Sequence, residues 1–438
     1  MSLALSAVAF LVISFLGMKY AFLAKTYRVK SPFTTGLNFR VSSRQHFILL
    51  LLCTAIVQAG SFSAILLLVW MVLLLQLTLK YGTRFSVSPV FFFYALYLSW
   101  LLFSLLLTPE PAFGFRVFAK YAFPFLVLLV VAKTPIHTTF FLKAVKISFW
   151  AALTANLIIG LPLILPIGFL TGPIFNPILW WGPAILDFNP FAIAIVLSLY
   201  SLTKKRRYLV VIFIFVLIPI LTANRTGLVG IGVCLLAMSW FKYKVRALPI
   251  MAMVLALFIS AIVFIPGVRD KMFYESYSNA DTLLNDSNTI SKDAINSNGR
   301  FAMWEWSLEN FYTGNKAMGS GLGQIQAVFY GENHPFGDIR IIHNDYVQIL
   351  CDTGLIGLML YLLISLSFVL HAFKIYINKK NQPAARYAAF IAGTSLCGIM
   401  ACAFTDNVIN YSLITLSYPY VFFGFSLSLK NNSIKKNV

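Results

Sequence analysis

Arg225, Arg300 and His343 are the residues whose types and settings best suit chemistry, two to grip an anion and one to move a proton. Arg225 lies in Thr222-Ala223-Asn224-Arg225-Thr226-Gly227, between two apolar runs with almost no loop to solvate it. A guanidinium binds phosphate oxygens through paired N–H donors and stays charged at any working pH. The plainer alternative is a helix-end arginine that snorkels into lipid headgroups. Arg300 opens a segment in which Phe301, Trp304, Leu308 and Phe311 recur at helical spacing. There it would add a full charge to the partial positive charge of a helix N-terminus, or simply pair with Glu305 or Glu309 on the surface. His343 stands in Arg340-Ile341-Ile342-His343-Asn344-Asp345-Tyr346, and an imidazole can take a proton from a hydroxyl at neutral pH. Asn344 or Asp345 could orient its ring, and both are also good caps for the helix that follows.

Several residues around these three are weaker candidates. Arg116 and Lys120, with Arg340 and Asn344, are expected to contact a substrate, although a helix-end cation needs no such role. Gly319-Ser320-Gly321-Leu322-Gly323 resembles a phosphate-cradling loop but lacks the spacing and strand-to-helix setting of a nucleotide motif, so it reads as a turn. His334 has no evident partner. No Asp-x-Asp pair or His/Glu cluster has ligand spacing, so neither a metal nor another cofactor is expected. The five cysteines sit in or beside apolar runs, without disulfide or zinc spacing.

The elements that must hold these residues are membrane helices. Of 438 residues, 59% are hydrophobic and 11% charged, with a mean hydropathy of +0.82, against about a quarter charged in soluble domains. About 13 apolar spans are expected, at roughly 2–18, 46–60, 61–79, 87–107, 117–132, 144–165, 189–202, 208–223, 226–241, 247–267, 346–373, 387–404 and 409–429. The first has no basic leader and no small-residue cleavage site, and reads as a retained helix. The net charge of +20 is gathered in short loops such as Lys204-Lys205-Arg206-Arg207, the pattern of the positive-inside rule and not of a nucleic-acid surface. Those loops face the cytoplasm if the spans alternate. The loop 268–345 then lies outside, with ten acidic residues against six basic ones. Within it 281–297 is polar and irregular, and the helix after it carries tryptophans suited to the membrane interface. Four regions follow: helices over 1–200, helices over 201–267 carrying Arg225, the external loop 268–345, and helices with a tail over 346–438.

With these motifs assembled, the stretch from His343-Asn344-Asp345 to Gly354-Leu355-Ile356-Gly357 resembles the bacterial O-antigen ligase and O-antigen polymerase superfamily. Asn224-Arg225-Thr226-Gly227 resembles that family's arginine at the outer end of a helix. Gly299-Arg300, with Trp304 and the Gly-x-Gly near 321, resembles its loop arginine segment. Together they span about 200–420. The resemblance implies an all-α polytopic glycosyltransferase of the GT-C type in the bacterial inner membrane, with 12–13 helices and its active site facing the periplasm. Its donor would be a glycan on undecaprenyl pyrophosphate and its acceptor a sugar hydroxyl, on a second lipid-linked repeat unit or on lipid A–core. His343 would deprotonate the acceptor, and Arg225 and Arg300 would hold the departing pyrophosphate, without metal and with inversion. A flippase and a chain-length regulator would be its partners, and a repeat-unit polymerase is favoured over a ligase. A transporter of lipid-linked sugar would need charged or broken helices at mid-membrane, often in repeated halves, and no repeat is visible.

Overall fold

The computed structural model describes residues 12, 14–19, 26–30, 38–54, 61–80, 88–157, 182–222, 224–265, 297, 299–331, 334–337 and 339–434. The irregular stretch expected at 281–297 lies outside them except for Ser297. A β-hairpin comes first, β1 (Thr26–Lys30) paired antiparallel with β2 (Asn38–Ser42), in what the sequence suggested was only a basic loop. Everything else regular is helical. In order these are α1 (Ser43–Leu51), α2 (Ser61–Lys80), α3 (Pro89–Leu107), α4 (Pro111–Lys133), α5 (Thr138–Ala155), α6 (Gly182–Thr203) and α7 (Arg207–Leu221). Then follow α8 (Arg225–Tyr243), α9 (Leu248–Phe264), α10 (Arg300–Phe311), α11 (Gln324–Tyr330), α12 (Asp345–Ile377), α13 (Pro383–Cys402) and α14 (Ser417–Ile434). Two short 3-10 turns, Lys244–Ala247 and Val408–Tyr411, complete the set.

Six stretches among the described residues are long and apolar enough to cross a membrane, including α3, α4, α12 and α13. Their sequences leave little choice, because only a helix satisfies its own backbone in lipid. Pro89, Pro111 and Pro383 each open a helix, where a missing N–H costs nothing. On α12 the exposed residues Met359, Leu362, Leu366 and Leu370 form one stripe at helical spacing, a lipid-facing surface. The chain is thus an all-α, multi-pass membrane protein with one small hairpin.

The alanine-rich helix α13 lies at the centre, packed against α6, α8, α12 and α14. Small residues make this possible. A Cβ on Gly230 of α8 would lie 2.3 Å from Cys402 Sγ, and one on Gly398 of α13 would lie 2.5 Å from the Gly230 carbonyl. This close crossing brings the start of α8, with Arg225, against the end of α13.

Two departures from the expected spans matter for the site. The expected span 409–429 is not one helix. Residues 403–416 run as turns and a 3-10 turn, and α14 begins only at Ser417. The second is a break in α12 at Gly354 (φ 68°, ψ −171°), which strips several backbone groups of their helical partners. Neighbours take them up. The Cys351 and Asp352 carbonyls accept from the Ser320 and Gly321 amides, and the Thr353 carbonyl from the Trp100 indole. The Leu355 amide donates to the Lys316 carbonyl at 2.9 Å. Loop residues therefore plug the break and fix the loop to the membrane helices.

Gly354 is the tightest point of that junction, since a Cβ there would meet the Ala317 carbonyl oxygen at 2.2 Å. Gly354→Ala combines a left-handed backbone with a backbone clash and is expected to lower stability by about 2–5 kcal/mol. Gly314→Ala, with open space around its Cβ, serves as the neutral control. Thermal unfolding in detergent checks this, and equal midpoints for the two variants would contradict it.

Candidate functional site

His343 sits where the loop rejoins the membrane helices, with a left-handed φ of 53° that few non-glycine residues adopt. Its setting imposes that conformation. The His343 N–H donates to Asn407 Oδ1 at 2.7 Å, and its Nδ1 lies 3.1 Å from Asp406 Oδ1. An ionised carboxylate only accepts, so Nδ1 carries the hydrogen and Nε2 keeps a lone pair. Its side chain is 29% exposed, open enough for a ligand to reach that lone pair.

The partner is neither of the two sequence neighbours that could have oriented the ring. Asn344 Oδ1 accepts the Val347 N–H and caps α12. Asp345 takes the Asn407 side-chain amide on one oxygen and the Ile409 N–H on the other. Asn407 also donates to Gln348 Oε1 at 2.9 Å. The first turn of α12 therefore grips the non-helical segment 403–416, and that segment presents Asp406 to the imidazole. Irregular backbone between membrane helices is tolerable because protein groups, not lipid, surround it. Burial pushes the Asp406 carboxyl up, but the hydrogen bond and charge of His343, the Asn407 N–H and the Arg300 charge outweigh it. The net effect holds Asp406 below the usual carboxylate range.

The helix starts that carry the two arginines meet the same segment. Arg225 follows Asn224, whose side chain caps α8 by accepting the Gly227 N–H at 2.7 Å. Its neighbour Thr226 meets Thr405 hydroxyl to hydroxyl at 2.9 Å. Arg300 opens α10 and donates from Nη1 to the Thr405 carbonyl. Burial pulls its guanidinium below the ordinary value, while the charges of Asp406 and Asp187 act in the opposite sense; an arginine stays charged through such a shift. The two guanidinium groups are close enough to repel each other. Two like charges held beside a histidine–aspartate pair make a site for an anion and a proton transfer.

The aromatic stripe on α10 forms as its spacing predicts. Met303 and Ser307 are buried, and Trp304, Leu308 and Phe311 pack on a second core of Met303, Ile325, Phe329, Ile342 and Cys351. The Trp304 indole donates to the Ile342 carbonyl at 2.9 Å, pinning the residue before His343. Protein takes up much of a face that the sequence would place at the lipid boundary.

The remaining candidates divide. Lys120 is buried on α4, donates to Asn410 and feels the charge of Asp345, so it borders the segment that carries Asp406. Arg116 is exposed with its guanidinium 5.4 Å from the Tyr330 ring centre, and Arg340 is exposed on the loop. His334 accepts the Phe336 N–H and lies against the Phe329 and Phe336 rings, a packing role. In the glycine run, the Gly323 and Ile325 amides donate to the Asp352 carboxylate at 3.0 and 2.9 Å. Gly319, Gly321 and Gly323 all have positive φ and press on neighbouring backbone. Their work is close packing, and the turn reading holds over the phosphate cradle.

Sequence reasoning missed Asp406, Asn407 and Asp187. Asp187 is fully buried on α6 and faces Asp406 and Cys402. A usable signal existed, because outside 268–345 the chain has only four acidic residues, Glu110, Asp187, Asp352 and Asp406. Three of those interrupt apolar runs, where a carboxylate is expensive and functional by default.

Residues 209–362 match the family model described as O-antigen ligase. A comparison with curated proteins gives no match. The matched stretch holds Arg225, Arg300 and His343, while Asp406 and Asn407 come from beyond it. Over residues 209–362, then, this multi-pass chain is similar to the O-antigen ligase family.

Proposed function

We propose that this protein is a glycosyltransferase of the inner membrane, working at its periplasmic face. It moves a glycan from undecaprenyl pyrophosphate to a sugar hydroxyl on another lipid-linked repeat unit, so that the chain grows. The observation that carries this reading is the His343–Asp406 pair set beside two mutually repelling arginines. His343 Nε2 takes the proton of the acceptor hydroxyl while its oxygen attacks the anomeric carbon. The bond from that carbon to the pyrophosphate oxygen breaks, and the pyrophosphate leaves with the electron pair. Asp406 supports the imidazolium through the Nδ1 hydrogen. Arg225 and Arg300 stabilise the growing negative charge, the task a divalent cation serves in other phosphoryl leaving groups, so no metal is required. One displacement in line gives inversion at the anomeric carbon. Lys120, Arg116, Arg340 and Asn344 are kept as substrate-side residues. The regions 1–200, 201–267, 268–345 and 346–438 serve as frame, arginine carrier, loop and site floor.

Transfer to lipid A–core is the second reading, favoured by the description of the matching family. Deleting the gene and running the surface polysaccharide on a gel separates the two. A polymerase leaves a single repeat unit on lipid A–core; a ligase leaves lipid-linked polymer and bare core. An unchanged ladder would refute both.

A further inference from the structure

Asp187 is a buried acid to which the transfer chemistry gives no task. It lies on α6 with none of its surface exposed. Close helix crossings put it there. A Cβ on Gly227 would lie 3.2 Å from the Leu186 carbonyl oxygen, and one on Gly398 would lie 2.6 Å from Pro190 Cβ. The stretch 186–190 is therefore wedged between the start of α8 and the end of α13, beside the segment that bears Asp406. The titratable and charged groups that face the Asp187 carboxyl are Asp406, Asp345, Cys402, Arg300 and Tyr411.

Among the described residues, neither Asp187 oxygen receives a hydrogen bond. The Cys402 thiol gives its hydrogen to the Thr226 carbonyl at 3.5 Å, and Arg300 donates from Nη1 to the Thr405 carbonyl. What Asp187 meets instead is a second acid, Asp406. The His343 ring and the Asn407 N–H both bond Asp406 through Oδ1, and neither uses Oδ2. Two buried carboxylates in contact hold one proton between them, because adjacent anions out of water repel.

We propose that Asp187 is a positioning residue for the transfer: it donates that shared proton to Asp406 Oδ2 and so fixes the carboxylate against His343 Nδ1. This role rests on the reading of His343 as the base. The proton stays on the pair throughout. Asp187 and Asp406 together carry one negative charge, and the imidazolium formed when Nε2 takes the acceptor proton carries one positive charge. The acid–acid contact thus matches the base to its counter-ion and holds the carboxylate in one orientation.

Two measurements on the purified full chain test this. The first is independent of activity. In infrared spectra at neutral pH, the carbonyl band of a protonated carboxylic acid should be present in the wild type and smaller in Asp187→Asn. The second is turnover. Asp187→Leu, alike in branching but without a donor, should lower kcat about tenfold, the worth of one oriented hydrogen bond, and leave the donor KM unchanged. Asp187→Asn keeps an N–H for Asp406 and should recover most of that loss. In an Asp406→Asn background, Asp187→Leu should cost less than about twofold more, since the carboxylate it positions is gone. An equal tenfold loss in both backgrounds marks a packing defect and overturns the proposal. So does a wild-type kcat for Asp187→Leu, or an acid band unchanged in Asp187→Asn. Failure of the transfer reading shows differently: His343→Ala then keeps full product, and the positioning role falls with it.

Discussion

His343→Ala is expected to insert and fold normally yet lose about 10²- to 10⁴-fold in transfer rate, the range spanned by general base catalysis. The ring is partly exposed and its Nδ1 bonds Asp406, so little packing goes with it. The backbone hydrogen bond to Asn407 survives the change. Asp406→Asn should be a milder lesion of the same function. The amide oxygen can still accept from Nδ1, but the negative charge that supports the imidazolium is gone. A second readout separates this from general damage. Because the Asp406 carboxyl is held below its ordinary value in the fold, it stabilises the protein above the unfolded pKa of about 3.9. That stability is lost as pH falls through the lower folded value. Acid unfolding of the wild type should therefore contain a component that Asp406→Asn lacks. Full product from His343→Ala, measured with purified protein and a lipid-linked donor, would end the base assignment.

The arginines should show a different pattern. Arg225→Ala and Arg300→Ala are each expected to cost about 10²- to 10³-fold in turnover, the scale of removing one donor from a charge-stabilising site. Arg225→Ala also relieves repulsion with Arg300. Arg300→Ala loses the bond to the Thr405 carbonyl that ties α10 to the segment bearing Asp406, and should be less stable than wild type. Arg300→Lys keeps the charge without the fork of donors and should recover only part of the activity. Turnover together with product inhibition by undecaprenyl pyrophosphate distinguishes the roles. A loss confined to the acceptor KM, with donor binding intact, would remove both arginines from the leaving-group site.

The all-α, multi-pass class and its apolar helices were legible in the chain itself, and the three candidate residues were chosen from it. Their signals are local. An apolar run of about 20 residues has few alternatives to a helix in lipid. Asn224 and Asn344 announce the helix starts at which Arg225 and the end of the loop are found. What could not be read locally is the partnership of His343. Asp406 lies 63 residues away, in the short gap between the expected spans 387–404 and 409–429, where nothing in the local sequence ties it to the loop.

Only the packed molecule turns that gap and the start of the next span into the bent segment 403–416. The glycine crossing at Gly230 and Gly398 sets α8 against α13, and the break at Gly354 lets the loop lock onto α12. Asp345 and Asn407 then close the hydrogen bonds that a helix would otherwise have supplied. Residue types and helix boundaries follow from neighbours in the chain. The meeting of Arg225, Arg300, His343 and Asp406 depends on how closely separate helices approach, and small residues at their crossings decide that distance.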